Sequence, residues 1–349
     1  MRRRSWLGLL PAVLGTGARA LPPAHLAFPR DHGAHPGYRT EWWYVTGQAS
    51  GGGREFGFQV TFFRSRVDAA AGMQSRFAAR QLVFAHAAVT DVQGKRLLHD
   101  QRIAREGFGI AFAGEADTEL KLRDWSLRRT AGGAIHARVP AGSFSLDLVF
   151  TPTQPVLLQG DKGLSRKGPE PKYASYYYSE PQLGVAGRLG VQGRSFDVTG
   201  RAWLDHEWSD ELLHPEAAGW DWIGMNLEDG SALTAFQLRR KDGTAVWDGG
   251  SFRGAGGATY IASPGETRFA ARRKWTSPLS KATYPVEWIV RTPADFYTVR
   301  AVVDNQELDS RASTGAIYWE GLADLIDSRG RRVGRGYLEM TGYADRLRL

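Results

Sequence analysis

Short runs in which apolar and other residues alternate recur along the chain, and they constrain its fold more than any other feature. In the runs 56–62 and 144–150, every second residue is Phe, Leu or Val. Side chains alternate between the two faces of a strand, so each run would bury one face and expose the other. Glycine-containing turns separate these runs, and stretches with helical periodicity are scarce. The pattern therefore predicts an all-β fold of antiparallel strands.

The first twenty residues have the features of an export signal. Three arginines follow Met1, an apolar stretch runs from Trp6 to Leu14, and the small-x-small sequence Ala18-Arg19-Ala20 resembles a cleavage site. Arg3-Arg4 resembles a twin-arginine signal, with a general secretory signal as the alternative. The apolar stretch is shorter than the roughly 20 residues that span a bilayer. We therefore expect residues 1–20 to be removed and the mature protein to be periplasmic or secreted, without a transmembrane segment.

Composition indicates a soluble globular protein that depends on core burial for its stability. Hydrophobic residues make up 42% and charged residues 23% of the 349 positions, and cysteine is absent. The formal charge of +8 falls to +4 when the four arginines of the signal are removed, because 41 basic residues then face 37 acidic ones. The arginines are scattered rather than clustered, so we expect no nucleic-acid partner.

Two further patterns suggest an internal repeat. The polar segment 159–172, rich in glycine and proline, lies near the middle of the mature chain. On either side, an aromatic strand precedes an alternating strand that ends in arginine: 41–47 with 56–64, and 219–225 with 233–240. Two β-barrels would remove exposed strand edges, and we predict domains at 21–175 and 176–349. The alternatives are a long functional loop at 159–172 and chance similarity between two aromatic hairpins.

The segment 201–210 carries the strongest functional signal. As a strand, it would place Trp203, Asp205 and Glu207 on one face, and His206 and Trp208 on the other. Paired carboxyl groups beside aromatic residues are suited to general acid or base chemistry. The alternative is a buried hydrogen-bond network that joins strand ends. The predicted catalytic residues are Asp205, His206, Glu207 and Trp208.

Other aromatic segments are candidates for the wall of a ligand cavity. Indole and phenol rings offer apolar surface with a polar tip, and they stabilise cations through their faces. The alternative is that these side chains fill the barrels. The predicted ligand-binding residues are Glu41, Trp42, Trp43, Tyr44, Tyr177, Trp220, Asp221, Trp222 and Tyr318.

The sequence gives little support for metal or nucleophile chemistry. His32 and His35 could meet at a metal ion together with Asp31, but no cysteine and no further histidine pair supports such a site. The Gly-x-Ser-x-Gly elbow of serine hydrolases and the phosphate-binding loop are both missing from the sequence. We therefore expect no metal and no cofactor.

Several long motifs together resemble the AttH-like family of secreted lipocalin-like proteins, which is related to carotenoid 1,2-hydratase (hydroxyneurosporene synthase). The resemblance covers nearly the whole mature chain. The motifs are the segments 28–35, 41–47, 175–183, 201–210, 219–222, 318–321 and 336–343.

The resemblance implies two consecutive lipocalin-like antiparallel β-barrel domains. For the hydratase branch it implies cofactor-independent addition of water to an isoprenoid double bond, that is, a hydro-lyase, with His206 and Trp208 in the motif of that site. We therefore expect an exported protein that binds a hydrophobic, isoprenoid or lipid-like molecule and hydrates it. The alternative is a non-catalytic periplasmic carrier that works with an envelope transporter.

Overall fold

The computed structural model describes residues 20–346, which form 25 β-strands and two short 3-10 helices, Arg30–His32 and Asp68–Ala70. The strands are β1 (Thr40–Gly51), β2 (Arg54–Arg66), β3 (Gln81–Asp91), β4 (Arg96–Arg105), β5 (Ala111–Ala113), β6 (Glu119–Leu122), β7 (Trp125–Arg129), β8 (Ile135–Pro140), β9 (Phe144–Thr151), β10 (Leu157–Leu158), β11 (Leu164–Arg166), β12 (Ala174–Val191), β13 (Arg194–Glu211), β14 (Gly219–Leu227), β15 (Ala232–Arg239), β16 (Ala245–Arg253), β17 (Thr259–Ile261), β18 (Arg268–Ala271), β19 (Lys274–Thr276), β20 (Thr283–Pro285), β21 (Glu287–Arg291), β22 (Phe296–Ala301), β23 (Glu307–Ser310), β24 (Ala316–Ile326) and β25 (Arg332–Met340).

The all-β prediction is confirmed, since every strand pair between these strands is antiparallel. The predicted export signal lies outside the described residues except for Ala20. Between residues 20 and 346 we find no helix with the length and apolar character of a membrane span.

Two large sheets share one order of strands. The first has the order β4-β3-β2-β1-β13-β12-β9-β8-β7-β6-β5, and the second has the order β17-β16-β15-β14-β25-β24-β22-β21-β18. In each, the strand that comes first in the chain lies between the strands that come second and last, so the beginning and the end of the sheet's chain segment are neighbours. Each sheet forms a nearly closed barrel. The hairpins β1–β2 and β14–β15 contain the two sequence repeats and occupy equivalent places in the two sheets.

The division into domains at 175/176 stays a prediction, but the strand order places the change of sheet elsewhere. Strands β12 and β13 pair with β9 and β1, so the first sheet continues to Glu211, and the second begins at Gly219. The polar segment 159–172 is a loop beside the first sheet, where β10 and β11 pair with β12. Its glycine and proline content indicates a loop, and a loop of this kind need not separate two domains.

Each barrel is filled by its own side chains. Trp43, Phe58 and Trp125 belong to the core of the first barrel, and Trp288 and Trp319 to that of the second. A third cluster joins outward faces of the two sheets and includes Tyr44, Trp203, Trp222, Leu322 and Tyr337. Successive residues of β1, β13 and β14 thus alternate between a barrel interior and the junction of the sheets.

Close packing of β1 against its neighbours leads to a prediction about Gly47. A Cβ atom added there would lie 2.5 Å from the Arg201 carbonyl oxygen and 2.6 Å from Cζ of Phe58. We expect Gly47→Ala to lower the free energy of unfolding by about 1–3 kcal/mol, because the core must shift to accept the methyl group. The matched control is Gly37→Ala, since a Cβ atom at Gly37 meets nothing within 4 Å. Urea unfolding of both variants measures the difference, and equal losses would contradict the packing described.

Candidate functional site

A cavity of about 470 Å³ lies where the two sheets meet, outside both barrel cores. Its walls come from β1, β2, β3, β4, β12 and β13 of the first sheet and from β14, β15, β24 and β25 of the second. Many of the site residues predicted from the sequence line this cavity: Trp42, Tyr44, Tyr177, Asp205, Glu207, Trp220, Trp222 and Tyr318.

The other predicted site residues lie on the same strands but point to the opposite faces. Trp43 and Trp208 belong to the core of the first barrel, where His206 stacks on Trp43 with ring centroids 4.5 Å apart. Glu41 is buried on the same side, and Asp221 bonds to Gln237, Arg239 and Tyr343 on the inner side of the second sheet. Strand alternation therefore separates Asp205 and Glu207 from His206 and Trp208.

Asp205 is the cavity carboxyl group with the most complete set of hydrogen-bond donors. Its oxygens accept hydrogen bonds from the hydroxyls of Tyr177 at 2.7 Å and Ser179 at 2.5 Å, and from Nε1 of Trp203 at 2.7 Å. Burial nevertheless raises its pKa to about 7, and the charge of Glu207 adds to the rise, while the three donors oppose it. Asp205 can thus hold or release a proton near neutral pH.

Glu207 lies two residues away but has a different environment. Its Oε1 is 3.0 Å from Nζ of Lys167, and it also accepts a hydrogen bond from Ser175. The ammonium group of Lys167 lies 4.3 Å from the ring centroid of Phe236 and 4.8 Å from that of Tyr177. Glu207 is therefore held in a buried ion pair whose cation also contacts aromatic faces.

Register explains how these groups come together. Tyr44 of β1 lies opposite Asp205, and Trp42 lies opposite Glu207. On the other side of β13, Ser179 lies opposite Asp205, and Tyr177 opposite Glu207. The aromatic part of the lining is continuous across the two sheets and comprises Trp42, Tyr44, Phe63, Phe84, Tyr177, Trp220, Trp222, Phe236 and Tyr318.

Several charged residues of the cavity were missed from the sequence, and the most deeply placed among them include Lys167, Glu320 and Glu339. Glu320 follows the predicted ligand-binding residue Tyr318 by two positions, so strand alternation places both side chains on one face. This alternation could have predicted Glu320 as a cavity residue. Glu339 is its direct partner across β24 and β25, which only the sheet register reveals. Lys167 comes from the loop 159–172, whose composition indicates a loop but not its position.

A second buried cluster occupies the end of the first barrel, behind the cavity wall. Glu41 accepts hydrogen bonds from Nε of Arg64 at 2.8 Å and from the rings of His35 at 2.7 Å and His206 at 2.9 Å. Burial would raise the pKa of Glu41, but the bonds from His206 and His35 lower it well below its usual range. Burial lowers the pKa of His206 to about 4, against the opposing effect of Glu41.

Donor atoms of His35, Glu41 and His206 lie within 4.8 Å of one another, as metal ligands do. The guanidinium of Arg64 on the same carboxylate disfavours a bound cation, and the hydrogen bonds among the three residues account for their proximity. His32 is not one of these three residues; its Nδ1 lies 2.7 Å from the Tyr178 hydroxyl, which is also 3.2 Å from Nδ1 of His206. The cluster fits a structural network better than a metal site.

Two nearly closed antiparallel sheets with filled interiors, joined at an aromatic and acidic cavity, define an all-β lipocalin-like protein. The chain belongs to the AttH-like family, whose model matches residues 19–343. The family expectation is therefore confirmed.

Solved structures agree with this assignment. A candidate AttH from Nitrosomonas europaea is similar over 93% of this chain and 99% of its own, with 47% identity and a TM-score of 0.87. Kievitone hydratase from Nectria haematococca matches over 93% and 94% of the two chains, with 13% identity and a TM-score of 0.72. CghA in complex with Sch210972 matches over 88% and 89%, with 12% identity and a TM-score of 0.51. The last two share the fold. Among curated proteins, none matches the chain significantly.

The raised pKa of Asp205 predicts a pH-dependent stability difference. Between about pH 4 and pH 7 the folded protein keeps a proton on Asp205 that the unfolded chain releases, so this group's contribution to stability falls as pH rises. Asp205→Asn removes that contribution. We expect the variant to gain stability relative to the wild type across this range, by up to about 1.4 kcal/mol per pH unit.

Urea unfolding at several pH values measures this difference. The pKa values of His32, His86 and His206 are lowered mainly by burial, so these residues make the protein more stable as pH rises. They are present in both proteins, so their effect cancels in the comparison with the wild type. The control is Thr46→Val, a buried change without a titrating group, whose curve should run parallel to that of the wild type. A parallel curve for Asp205→Asn would contradict the assignment.

Proposed function

We propose that this protein is exported to the periplasm or secreted, and that it binds a hydrophobic, isoprenoid or lipid-like molecule in the cavity between its sheets. We further propose that it adds water to a carbon–carbon double bond of that molecule by acid catalysis. The observation that carries this proposal is Asp205, a buried carboxyl group with a pKa of about 7 on an aromatic wall.

The chemistry assigns separate tasks to the acid and to the aromatic residues. The Asp205 carboxyl group gives its proton to one alkene carbon, and the π electrons of the double bond form the new C–H bond. The other carbon becomes a carbocation, which the faces of Trp42 and Trp222 would stabilise. A water oxygen then bonds to this carbon and releases one proton, which restores the Asp205 carboxyl group over the full cycle. No cofactor takes part in this sequence.

A non-catalytic carrier that works with an envelope transporter is the second candidate. Two observations favour it: three donors already bind the oxygens of Asp205, and Lys167 already pairs with Glu207. In a carrier these groups would only shape and stabilise the wall. Lipid extraction and native mass spectrometry of protein purified from its own envelope would identify the class of ligand under either candidate.

Substitution of Asp205 distinguishes the two candidates. The wild type, incubated with acyclic isoprenoids such as lycopene and myrcene in heavy-oxygen water, should form labelled alcohol, which mass spectrometry detects. Asp205→Asn should slow this by about 100-fold or more, since a general acid contributes that much, while ligand binding changes little. Glu207→Gln should have a smaller effect, because Glu207 is held in an ion pair with Lys167.

The control is Asp197→Asn, the same change on the same strand at a side chain that is 88% exposed. It should leave both binding and product formation unchanged. Bound isoprenoid without any labelled alcohol from the wild type would reject the hydratase and favour the carrier.

A further inference from the structure

The wall of the cavity that faces Asp205 contains a second pair of carboxyl groups. Glu320 and Glu339 are direct partners on β24 and β25, and both line the cavity. Glu320 is 2% exposed, and Glu339 is partly buried. Neither forms a salt bridge among the described residues, whereas Glu207 is paired with Lys167. The second sheet thus presents two adjacent acids without a matching cation.

Two carboxyl groups in this position cannot both be ionised easily. Burial raises the pKa of Glu320 well above its usual range, and the charge of Glu339 raises it further. Burial also raises the pKa of Glu339 to about 7, against the opposing effect of the Trp220 indole and with smaller contributions from the charges of Asp205 and Glu207. At neutral pH the pair therefore holds at least one proton, so it can donate one hydrogen bond and accept another.

Polar atoms next to this pair lack partners. Oε1 of Glu320 and the hydroxyl of Tyr44 are buried, and neither makes a hydrogen bond of good geometry. The hydroxyls of Tyr44 and Tyr318 nevertheless lie close enough to Glu320 to lower the pKa of its carboxyl group. Tyr44 is also the residue opposite Asp205 on the first sheet. Unpaired buried polar atoms cost free energy unless a ligand or a water molecule satisfies them.

We propose that Glu320, Glu339 and Tyr44 form an oxygen-binding subsite, which holds the water that adds to the double bond and later the hydroxyl group of the alcohol. This proposal rests on the proposed function. It assigns a class of ligand to the cavity, namely an isoprenoid alcohol and its parent alkene. The proton leaves from Asp205 on one wall, and the oxygen arrives from the other.

The proton balance then closes within the cavity. Asp205 loses its proton to the alkene carbon and becomes a carboxylate. When the water oxygen bonds to the cationic carbon, its proton passes to the carboxylate of the Glu320–Glu339 pair. The pair becomes fully protonated, and transfer of one proton back to Asp205 through solvent restores the starting state. The sum is one alkene and one water consumed for each alcohol formed.

Binding of two probes with the same carbon skeleton tests the subsite without relying on turnover. Myrcene is a hydrocarbon, and linalool is a tertiary alcohol that corresponds to myrcene plus water. Quenching of the cavity tryptophans measures both affinities. We expect the wild type to bind linalool about tenfold more tightly than myrcene, the ratio that one good hydrogen bond supplies.

Two variants remove partners of the hydroxyl. Tyr44→Phe deletes a hydroxyl that makes no hydrogen bond of good geometry, and Glu320→Met replaces a buried acid by an apolar group of similar size, so both should fold. Each should reduce the linalool preference at least threefold and leave myrcene affinity unchanged. Tyr337→Phe is the control, since Tyr337 is buried in the same sheet and does not line the cavity.

The outcomes separate the subsite from the proposed function. Myrcene binding with no preference for linalool, or a preference that both variants retain, would overturn the subsite alone. Failure of the wild type to bind either probe would overturn the ligand class and the subsite together. A preference that the variants lose, without labelled alcohol from any isoprenoid, would support the subsite and reject catalysis.

A separate surface carries a second proposal. Exposed apolar side chains occur on the loops β2–β3 and β4–β5 and on β5: Met73, Phe77, Phe108, Ile110 and Phe112 are 42–63% exposed. The rings of Phe77 and Phe108 stack at 5.5 Å, and the guanidinium of Arg105 lies 4.1 Å from the centroid of Phe108. The guanidinium of Arg76 lies 5.7 Å from both centroids. We call Phe77 and Phe108, with Arg76 and Arg105, the aromatic–arginine patch. Exposed aromatic rings that contact one another beside cations are suited to an interaction site.

We infer that the aromatic–arginine patch docks on an anionic lipid bilayer. Aromatic and aliphatic tips would enter the interface while the arginines meet lipid phosphates, a combination typical of membrane-surface binding. The patch also adjoins the cavity: Ile103, two residues before Arg105 on β4, is 36% exposed and lines the cavity wall. A hydrophobic ligand could therefore pass between bilayer and cavity with little exposure to water.

Sedimentation with vesicles tests this docking. The wild type should bind vesicles of phosphatidylglycerol and phosphatidylcholine at least fivefold more strongly than pure phosphatidylcholine. The double change Phe77→Ser and Phe108→Ser should remove most of that binding, whereas Phe296→Ser, at a 55% exposed site on the other sheet, should not. Equal binding by both variants, or no preference for the anionic vesicles, would overturn the proposal.

Discussion

The antiparallel pairing of β1 with β13 is the constraint on which the rest of this structure depends. Because side chains alternate along both strands, one face of the pair fills the first barrel and the other meets the second sheet. The inner face carries Trp43 and His206, and the outer face carries Tyr44 and Asp205. A shift of register by one residue would exchange the two sets, so core packing and cavity composition are fixed by the same hydrogen bonds.

Buried acidic groups have different surroundings on the two faces of this strand pair. On the inner face, Glu41 is surrounded by Arg64, His35 and His206, and its negative charge is fully compensated. On the outer face, Asp205, Glu320 and Glu339 have few cations near them, and burial raises their pKa values. Compensated charge stabilises the barrel end, whereas uncompensated carboxyl groups retain protons that chemistry can use. The same strands thus separate a compensated network of charges from the carboxyl groups of the cavity.

Much of this arrangement could be predicted from local sequence, and the rest depends on contacts between distant segments. Alternation in 201–210 correctly grouped Asp205 with Glu207 and separated them from His206. It could not say which face is enclosed, because that depends on how two sheets pack, and the cavity lies between the barrels. Glu339 and Lys167 were missed because a strand pair and a loop position, set by tertiary structure, bring them to the cavity.

Under the proposed function, the ligand occupies the junction of the sheets and not a barrel interior. A crystal structure of the protein carrying the hydrophobic molecule that co-purifies from its own envelope would locate the ligand. We expect density for the molecule between the sheets, in contact with Trp42, Asp205 and Glu320. Density inside the first barrel beside Trp43 and His206, with the junction of the sheets empty of ligand, would contradict this expectation.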